Sequence, residues 1–356
     1  MKRIMYISTT TRPLRPDEVD EITRVCQQNN AKVGVTGILI SAQEFFFQIL
    51  EGLEADVDQV MGRIKKDPRH AGLLILKAEH EVSDQLFPDW SMKTIKLDGN
   101  SDVVIQAIRI MLENITESHR IIERYTQPAV LQFLTAGINP LTVPVKKTEK
   151  IVLFGDIAAF SYLSGLYPTE EVAEHAGSFL EIFSRAVTDN GGQVNKYIGD
   201  CVLAYFPTDR ADDAIEACLT TLRQIRALRA TAAQCRLRNF LYCGFGLSLG
   251  PVIEGNFGSS YKMDYTLLGN TVNLASRLEN FTRTIRKAIT ISQAAKEACQ
   301  KDWDFEKVGE YQLKGQTEPQ SFFSLSDELV GDTRTVEEII ETVLLAPEAH
   351  RLSCDC

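Results

Sequence analysis

Residues 191–206, GGQVNKYIGDCVLAYF, have the pattern of two β-strands joined by a tight turn. Apolar side chains recur in 193–198 and 201–206, and the Gly199–Asp200 pair between them is typical of hairpin turns. The neighbouring segments are a strand at 151–157, a helix at about 169–188, a helix at 212–230 and a strand at 240–249. The resulting order, β-α-β-β-α-β, predicts a ferredoxin-like unit.

The same order of elements is predicted nearer the N-terminus. Its members are a strand at 3–8, a helix at about 17–29, strands at 35–40 and 45–50, a helix at about 56–66 and a strand at 72–78. A chain of 356 residues with 44% hydrophobic and 24% charged residues has the size and composition of two globular domains. We therefore predict an α+β protein with two ferredoxin-like domains.

Between these units, residues 101–127 carry apolar side chains at mostly helical spacing, which is typical of an amphipathic helix. These side chains are Val104, Ile105, Ile108, Met111, Leu112, Ile115, Ile121 and Ile122. Three prolines and a glycine within 127–145 mark a domain boundary. We expect domains at 1–100 and 148–326, a helical linker and dimer element at 101–147, and a poorly specified tail at 327–356. Packing of the helix against its own domain is the alternative.

The composition restricts the partners and the location of the protein. A net charge of −10 argues against a nucleic acid or an anionic membrane as partner and favours a small molecule. The eight cysteines form no CxxC pairs, so zinc sites and a disulfide framework are not expected. No stretch reaches the ~20 apolar residues that span a bilayer, and the opening MKRIMYISTT is too short and polar for a signal peptide. We predict a cytoplasmic protein.

Two aspartates from distant parts of the sequence are predicted to meet in the second unit. In a ferredoxin-like sheet the third strand lies antiparallel beside the first, so the end of the first meets the start of the third. Asp156 and Asp200 occupy these two positions. Adjacent carboxylates suit Mg²⁺ ions that neutralise a triphosphate. Taken alone, however, a turn aspartate and a strand-end aspartate are more often structural.

Three segments in this order resemble the class III nucleotide cyclase catalytic domain over roughly residues 150–325. They are IVLFGDIAAFS (151–161), GGQVNKYIGDCVLAYF (191–206) and DYTLLGNTVNLASRLE (264–279). The resemblance implies that Asp156 and Asp200 bind two Mg²⁺ or Mn²⁺ ions, assisted by the carbonyl of Ile157. It also implies that the turn Ala158, Ala159, Phe160 and Ser161 offers backbone N–H groups to phosphates. Gly155 departs from the family pattern, where a bulkier or polar residue is common.

The same resemblance assigns the other substrate contacts. Lys196 and Thr266 are placed at the adenine, where guanylyl cyclases have Glu and Cys, so ATP is favoured as substrate. Asn273 is assigned to the ribose and Arg277 to the charge that develops on the transferring phosphate, the role that suits a guanidinium best. Lys314, in YQLKGQ, is assigned to the terminal phosphates.

The implied reaction is in-line attack of the ribose 3′ oxygen on the α-phosphorus, with pyrophosphate as leaving group. In this family one subunit supplies the metal carboxylates and the other supplies the adenine, ribose and transition-state residues. Because this chain has both sets, the resemblance implies a homodimer with two composite sites.

The segment NNAKVGVTGILISAQEFFFQILEG (29–52), with MYIS before it and DPRH and FPDWSM after it, resembles the BLUF domain over about residues 1–95. This family senses blue light with FAD, so FAD or FMN is the expected cofactor. The sheet order places Tyr6 and Gln48 on neighbouring strands. By resemblance, Gln48 bridges Tyr6 and the flavin ring and Asn30 bonds the polar edge of the ring. Blue light would move an electron and then a proton from Tyr6 and leave the Gln48 amide rotated or tautomerised.

Four more residues are candidates in this domain. Arg69 and His70 are placed at the ribityl or phosphate part of the cofactor, with a basic pair at a helix exit as the alternative. Trp90 and Met92 are predicted to lie at alternate positions of one strand and so to share a face. They would relay the changed hydrogen bonds to the linker, although core packing explains them nearly as well.

The sequence therefore predicts a blue-light-activated adenylyl cyclase. A light-regulated guanylyl cyclase, a non-catalytic flavin-sensing nucleotide-binding module and a redox-sensing flavoprotein are the alternatives.

Overall fold

The computed structural model describes residues 1–42, 45–97, 103–230, 237–311, 319–331 and 333–345. The chain divides into two compact units, Met1–Val143 and Pro144–Cys356, which are described separately below.

The first unit has a five-stranded sheet in the order β4-β1-β3-β2-β5. Its elements are β1 (Lys2–Thr10), α1 (Pro16–Lys32), β2 (Thr36–Ala42), β3 (Phe45–Gly52), α2 (Glu54–Ile64), β4 (His70–Glu79), β5 (Lys93–Lys96), α3 (Val103–Tyr125) and α4 (Pro128–Thr135). The first four strands have the ferredoxin-like order, which confirms the predicted fold class. β5 adds a strand parallel to β2.

Alternate residues of β1 separate the two faces of this sheet. Tyr6 is buried in a cluster that includes Val57 and Met61 of α2. Ile7, the next residue, is buried in a second cluster that includes Leu112 of α3. The predicted linker helix α3 therefore packs its inner face on the sheet of its own unit. This is the alternative stated above for the helix, and it leaves the outer face of α3 exposed.

One expectation for this unit is corrected by the structure. Trp90 and Met92 precede β5 and do not lie on a strand, because the chain from Trp90 to Met92 is irregular and β-pairing begins at Lys93. The segment 127–145, whose prolines were taken to mark a domain boundary, contains the helix α4. Pro128 occupies the first position of α4, where the missing N–H of proline has no cost.

The second unit is built on an eight-stranded sheet with the order β12-β13-β11-β9-β6-β8-β7, and β10 pairs with β9. Its elements are β6 (Lys146–Ile157), α5 (Phe160–Ser164), α6 (Thr169–Asp189), β7 (Gln193–Ile198), β8 (Cys201–Phe206), α7 (Ala211–Ala230), β9 (Cys243–Gly258), β10 (Met263–Leu268), α8 (Asn270–Thr282), β11 (Ile289–Ser292), α9 (Gln293–Glu297), β12 (Phe305–Tyr311), β13 (Gln320–Leu325), α10 (Asp327–Val330) and α11 (Val336–Leu345). Strands β9, β6, β8 and β7 repeat the ferredoxin-like order.

The packing of β6 explains why Gly155 departs from the family pattern. A Cβ atom on Gly155 would lie 2.5 Å from Cε1 of Phe183 and 2.9 Å from Cδ1 of Phe245. Phe183 and Phe245 are fully buried, and their rings lie 5.0 Å apart. The two phenyl rings fill the space of the missing side chain, so the glycine is a packing requirement at the strand end.

The tail is better specified than the sequence predicts. The expectation of a poorly specified segment at 327–356 is wrong for Asp327–Val330 and Val336–Leu345, which form α10 and α11. Val330 belongs to the main core of the second unit, and Ile339 and Val343 are buried in a smaller apolar cluster. The segment is therefore part of the folded unit.

Candidate functional sites

Asp156 and Asp200 meet where β6 ends and β8 begins, as the sheet order predicts. Asp156 is buried near the end of β6, and Asp200 lies in the turn between β7 and β8, where Gly199 has a φ of +67° that favours glycine. Burial raises the pKa of Asp156, and the neighbouring carboxyl of Asp200 raises it further. The backbone N–H of Ile157 donates to Oδ1 of Asp156 at 3.0 Å. The structure thus holds two carboxylates side by side.

Glu279 of α8 and Arg283, just after the end of that helix, complete this cluster. Neither residue was identified from the sequence. Arg283 forms an ion pair with Oδ2 of Asp156. Its Nε also lies 3.4 Å from Oε1 of Glu279, one helical turn earlier. Burial raises the pKa of Glu279 to about 7, and Arg283 opposes this shift. The i,i+4 spacing of Glu279 and Arg283 is visible in the sequence, but nothing there signals contact with Asp156.

The carboxylate pair suits a magnesium ion that takes only some of its ligands from the protein. It suits less well a metal whose ligands all come from the protein. Within the described ranges, no group of three or more His, Cys, Asp or Glu side chains could hold a metal. Mg²⁺ is commonly bound by one or two carboxylates, with water and substrate phosphates supplying the other oxygens. Asp156 and Asp200, with the carbonyl of Ile157, are donors of this kind. The site therefore suits a metal that takes its remaining ligands from water or a phosphate group.

The predicted phosphate turn has a strained backbone. Ala159 has a φ of +60°, in the left-handed region that residues with a Cβ rarely adopt. The N–H of Ala158 donates to the carbonyl of Tyr242 at 2.8 Å, so it is not one of the groups open to phosphate. This corrects the expectation for Ala158. Phe160 and Ser161 begin α5, with Phe160 packed against the core and Ser161 exposed.

The predicted adenine residues lie at one edge of the sheet, where β7 approaches β10. Lys196 of β7 forms an ion pair with Asp264 of β10. Thr266, two residues further along β10, is buried and donates to Oδ1 of Asn195 at 2.9 Å. Asp264 and Asn195 were not singled out from the sequence. They fix the orientations of the two side chains assigned to the base.

Asn273 and Arg277 are exposed on α8, four residues apart as predicted. The cavity beside Asp156 is lined on this helix by Glu279 and Thr282, whereas Arg277 lines a different groove. A single chain thus presents the carboxylates and Arg277 on different surfaces. Lys314 lies outside the described residues.

In the first unit, Tyr6 and Gln48 face each other across β1 and β3 and are both buried. The Tyr6 hydroxyl donates to Oε1 of Gln48. Nε2 of Gln48 donates in turn to Sδ of Met92, at 3.3 Å. Burial raises the pKa of the Tyr6 hydroxyl well above its usual value, so its proton is held on the phenol. The predicted Tyr6–Gln48 contact is present.

The other predicted cofactor residues divide into buried and exposed ones. Asn30 is buried, and its Nδ2 donates to the carbonyl of Ser91 at 3.2 Å. Nδ1 of His70 lies 2.7 Å from the hydroxyl of Ser8, and the His70 ring is 6.3 Å from that of Tyr6. Burial lowers the pKa of His70. Arg69 is instead paired with Asp67 near the surface.

Trp90 and Met92 do not share a face, contrary to the expectation. Met92 is buried against Gln48, whereas Trp90 is half-buried and stacks on Phe87 with ring centroids 5.2 Å apart. The ammonium of Lys93 lies 4.3 Å from the centroid of the Trp90 ring. Of these two residues, only Met92 therefore contacts Gln48, the predicted switch.

The buried amides of Asn30 and Gln48 and the buried phenol of Tyr6 suit a cofactor ring with a polar edge.

Comparison with known proteins matches both units to families. Residues 1–93 match the family described as BLUF, sensors of blue light using FAD, and residues 143–326 match the adenylate and guanylate cyclase catalytic domain. Two solved structures, each described as a bacterial light-regulated adenylyl cyclase, are 39% and 38% identical to the chain. They cover 96% of it and 98% of their own chains, with TM-scores of 0.88 and 0.84.

Photoactivated adenylate cyclase subunit beta of Euglena gracilis is 29% identical over 82% of this chain. Subunit alpha of the same organism is 27% identical over 82% of it. The chain spans 34% and 28% of the lengths of these relatives. Among the helices that the structure describes, none is both long and apolar enough to cross a membrane.

Proposed function

The chain belongs to the adenylate and guanylate cyclase family and carries a BLUF domain, and from this premise we propose that it is a blue-light-activated adenylyl cyclase. It would convert ATP to 3′,5′-cyclic AMP and pyrophosphate. The observation that carries the proposal is the presence, in one chain, of a buried Tyr6–Gln48 contact and a paired Asp156–Asp200 site. The proposal includes residues 1–100 as sensor, 101–147 as linker, 148–326 as catalytic domain, and a cytoplasmic location.

In the catalytic domain, Asp156, Asp200 and the carbonyl of Ile157 hold two Mg²⁺ or Mn²⁺ ions. When bound, such ions neutralise the triphosphate and lower the pKa of the ribose 3′ hydroxyl. Oδ2 of Asp156 pairs with Arg283, and the buried Glu279 offers this guanidinium a second carboxylate partner that would keep it in place if Asp156 bound a metal. The turn of Phe160 and Ser161 orients the phosphates.

ATP is the proposed substrate because of two side chains at the edge of the second unit. Lys196 is a donor that suits a ring nitrogen of adenine, and Thr266 carries a hydroxyl that can accept from the exocyclic amine. The Lys196–Asp264 ion pair and the Thr266–Asn195 hydrogen bond hold them in place before substrate binds. Arg277 stabilises charge on the transferring phosphate, Asn273 positions the ribose, and Lys314 neutralises the terminal phosphates.

A homodimer supplies the complete site, because Arg277 and the carboxylates occupy different surfaces of one chain. The exposed face of α3 offers a means of pairing. Met111, Ile115, Ser118, Ile122 and Tyr125 follow a 4-3-4-3 spacing, the heptad pattern of a coiled coil. Every one of the apolar members is exposed, while Leu112 on the other face is buried. Two chains that pair along this face would be joined next to their sensors.

In the sensor, FAD or FMN supplies the absorption of blue light when bound. Tyr6 carries the proton that can leave, and Gln48 carries an amide whose two ends exchange donor for acceptor at nearly constant shape. A reoriented Gln48 would present the other end of its amide to Tyr6 and Met92. Asn30 holds the polar edge of the ring and His70 its ribityl or phosphate part. α3 packs on the opposite face of the same sheet and is the element that would transmit the change.

The proposal is tested by incubating the purified flavin-loaded chain with Mg²⁺ and either ATP or GTP, in the dark and under blue light. We expect cyclic AMP as the main product and a higher rate in the light. Cyclic GMP as the main product would support a guanylyl cyclase instead. Nucleotide binding without any cyclic product would support the non-catalytic module.

A further inference from the structure

The C-terminal helix α11 has one buried and one exposed side. Ile339 and Val343 are 0% and 1% exposed, whereas Leu344 and Leu345 are 53% and 85% exposed. Thr335 and Glu338 form a capping box at its start, with N–H to side-chain distances of 2.8 Å and 3.2 Å. The helix therefore has a defined beginning and a defined buried face.

The buried face of α11 belongs to the same apolar cluster as the predicted phosphate turn. This cluster contains Ala159, Leu163, Leu237, Tyr242, Ile339 and Val343, with Ala158 and Tyr162 packed against it. Ala159 is the residue with a φ of +60°. A strained backbone of this kind persists only where the surrounding packing holds it. The tail supplies part of that packing.

A second contact runs through Tyr242. Its carbonyl accepts the N–H of Ala158 at 2.8 Å and so anchors the turn. The guanidinium carbon of Arg334, just before α11, lies 5.5 Å from the centroid of the Tyr242 ring, and that of Arg229 lies 3.9 Å away. Cations at these distances attract the ring. Arg334 thus helps to hold the residue that anchors the turn.

The segment before α11 also contacts the chain around Arg283, the partner of Asp156. Nε of Arg286 donates to the carbonyl of Thr333 at 3.3 Å, and the Thr333 hydroxyl donates to the carbonyl of Arg286 at 3.2 Å. The N–H of Val336 lies 3.5 Å from the carbonyl of Arg283. The tail is therefore connected to the phosphate turn. It is also connected to the chain around Arg283, the residue that pairs with the carboxylate of Asp156.

We infer that residues 333–345 are a positioning element for nucleotide binding, in which Arg334, Ile339 and Val343 hold the turn at Ala158–Ser161 in its binding conformation. This inference deepens the proposed function and rests on it. The segment lies beyond residues 143–326, where the catalytic-domain family matches. Loosening it should weaken the binding of the nucleotide phosphates and leave the choice of base, set by Lys196 and Thr266, unchanged.

The test compares two double variants of the full flavin-loaded chain. Ile339→Ala with Val343→Ala opens the buried face, and Leu344→Ala with Leu345→Ala removes the same kind of side chain from the exposed face. The dissociation constant of a fluorescent ATP analogue is measured with Mg²⁺ by titration, and KM, kcat and the ATP/GTP preference are measured in the light. We expect Kd and KM to rise at least about fivefold for the first variant only, with the ATP/GTP preference unchanged. Equal constants for the two folded variants would overturn the inference.

Two further variants separate positioning from general loss of stability. Arg334→Gln leaves the apolar cluster intact and removes the more distant of the two cations beside Tyr242, together with the hydrogen bond from Arg334 to Oγ1 of Thr342. Its Kd should rise in the same direction. Ala159→Gly removes the backbone strain, so the Ile339→Ala effect on Kd should be smaller in that background. An unchanged Kd for Arg334→Gln together with an undiminished Ile339→Ala effect would contradict the inference. If the wild-type chain binds the analogue but forms no cyclic nucleotide, the proposed function fails while the Kd comparison still decides the role of the tail.

Discussion

The hydroxyl of Tyr6 donates a hydrogen bond to Oε1 of Gln48 across β1 and β3, in the buried interior of the first unit. Gln48 uses its other end on Met92, so both ends of one amide are engaged. Reversing the amide would place its donor nitrogen at Tyr6 and its acceptor oxygen at Met92. This makes Gln48 a two-state element whose change reaches the segment that leads into β5.

Replacing Gln48 by Leu should abolish the light-induced change in the flavin absorption spectrum and the light dependence of cyclic AMP formation. Leu cannot accept from Tyr6, and the unsatisfied buried hydroxyl should also lower stability by about 1–3 kcal/mol. The measurements are difference spectroscopy and a dark–light rate ratio on one preparation. Gln85→Leu is the control, because Gln85 is half-buried on a loop and donates to Thr36 at 3.4 Å. Light activation that persists in Gln48→Leu would refute the role assigned to this residue.

The composite site can be tested by complementation. Asp156→Asn and Arg277→Ala should each reduce the lit rate by at least about 100-fold, because each removes a group that acts on both sites of its homodimer. In a heterodimer, the Asp156→Asn subunit supplies Arg277 and the Arg277→Ala subunit supplies Asp156, so one of two sites is complete. Equal co-expression should therefore restore about a quarter of the wild-type rate.

The readout is cyclic AMP formed per chain after purification of the co-expressed pair, with each variant alone as control. Activity of the mixture no higher than that of the separate variants would contradict shared sites, provided that dimers form.

The heptad face of α3 predicts the surface that pairs two chains. Ile115→Glu with Ile122→Glu places charges on this face and should convert the dimer to a monomer with little cyclase activity. Ile110→Glu is the matched control, since Ile110 is 57% exposed on the same helix but lies off the heptad positions. Light scattering gives the mass. Dimers in the double variant, or monomers in the control, would show that pairing uses another surface.

His175 predicts the acid sensitivity of the second unit. It is fully buried in α6, neither ring nitrogen has a hydrogen-bond partner in the described part of the chain, and burial lowers its pKa to about 4. The folded state therefore favours neutral imidazole, so stability is complete above the unfolded pKa of about 6.5 and falls as the pH drops toward 4.

Because of this histidine, the free energy of unfolding of the wild-type chain should be about 2 kcal/mol lower at about pH 5 than at about pH 8. The His175→Leu variant should not show this decrease. Urea unfolding of the second unit at both pH values measures it. His80→Leu is the control, because it removes an exposed histidine that lies outside the second unit. The same acid loss in His175→Leu and wild type would assign the sensitivity to other groups.

Strand order explains which parts of the sites were predictable. Tyr6 and Gln48, and likewise Asp156 and Asp200, come from strands that the ferredoxin-like topology makes neighbours. Their meeting follows from the order of elements alone. Lys196 and Thr266 were instead assigned by the family resemblance, since no strand was predicted around Thr266 and β10 is seen only in the structure.

The missed contacts depend on packing between elements that no local pattern connects. Arg283 reaches Asp156 from 127 positions away because α8 crosses β6 and β9 with its last turn at the strand end. The left-handed backbone conformation of Ala159 cannot be predicted from the sequence, because alanine rarely adopts it. Trp90 and Met92 alternate like strand residues, yet the chain there is irregular.

The central claim is that light on the sensor controls cyclisation of ATP, and one measurement tests it most directly. The flavin-loaded chain is given ATP and Mg²⁺ in a single cuvette, blue light is switched on and off repeatedly, and cyclic AMP and pyrophosphate are followed together. We expect the rate to rise with each illumination and to fall again in the dark, with one pyrophosphate for each cyclic AMP. A rate that ignores the light, or the absence of cyclic AMP in both states, would contradict it.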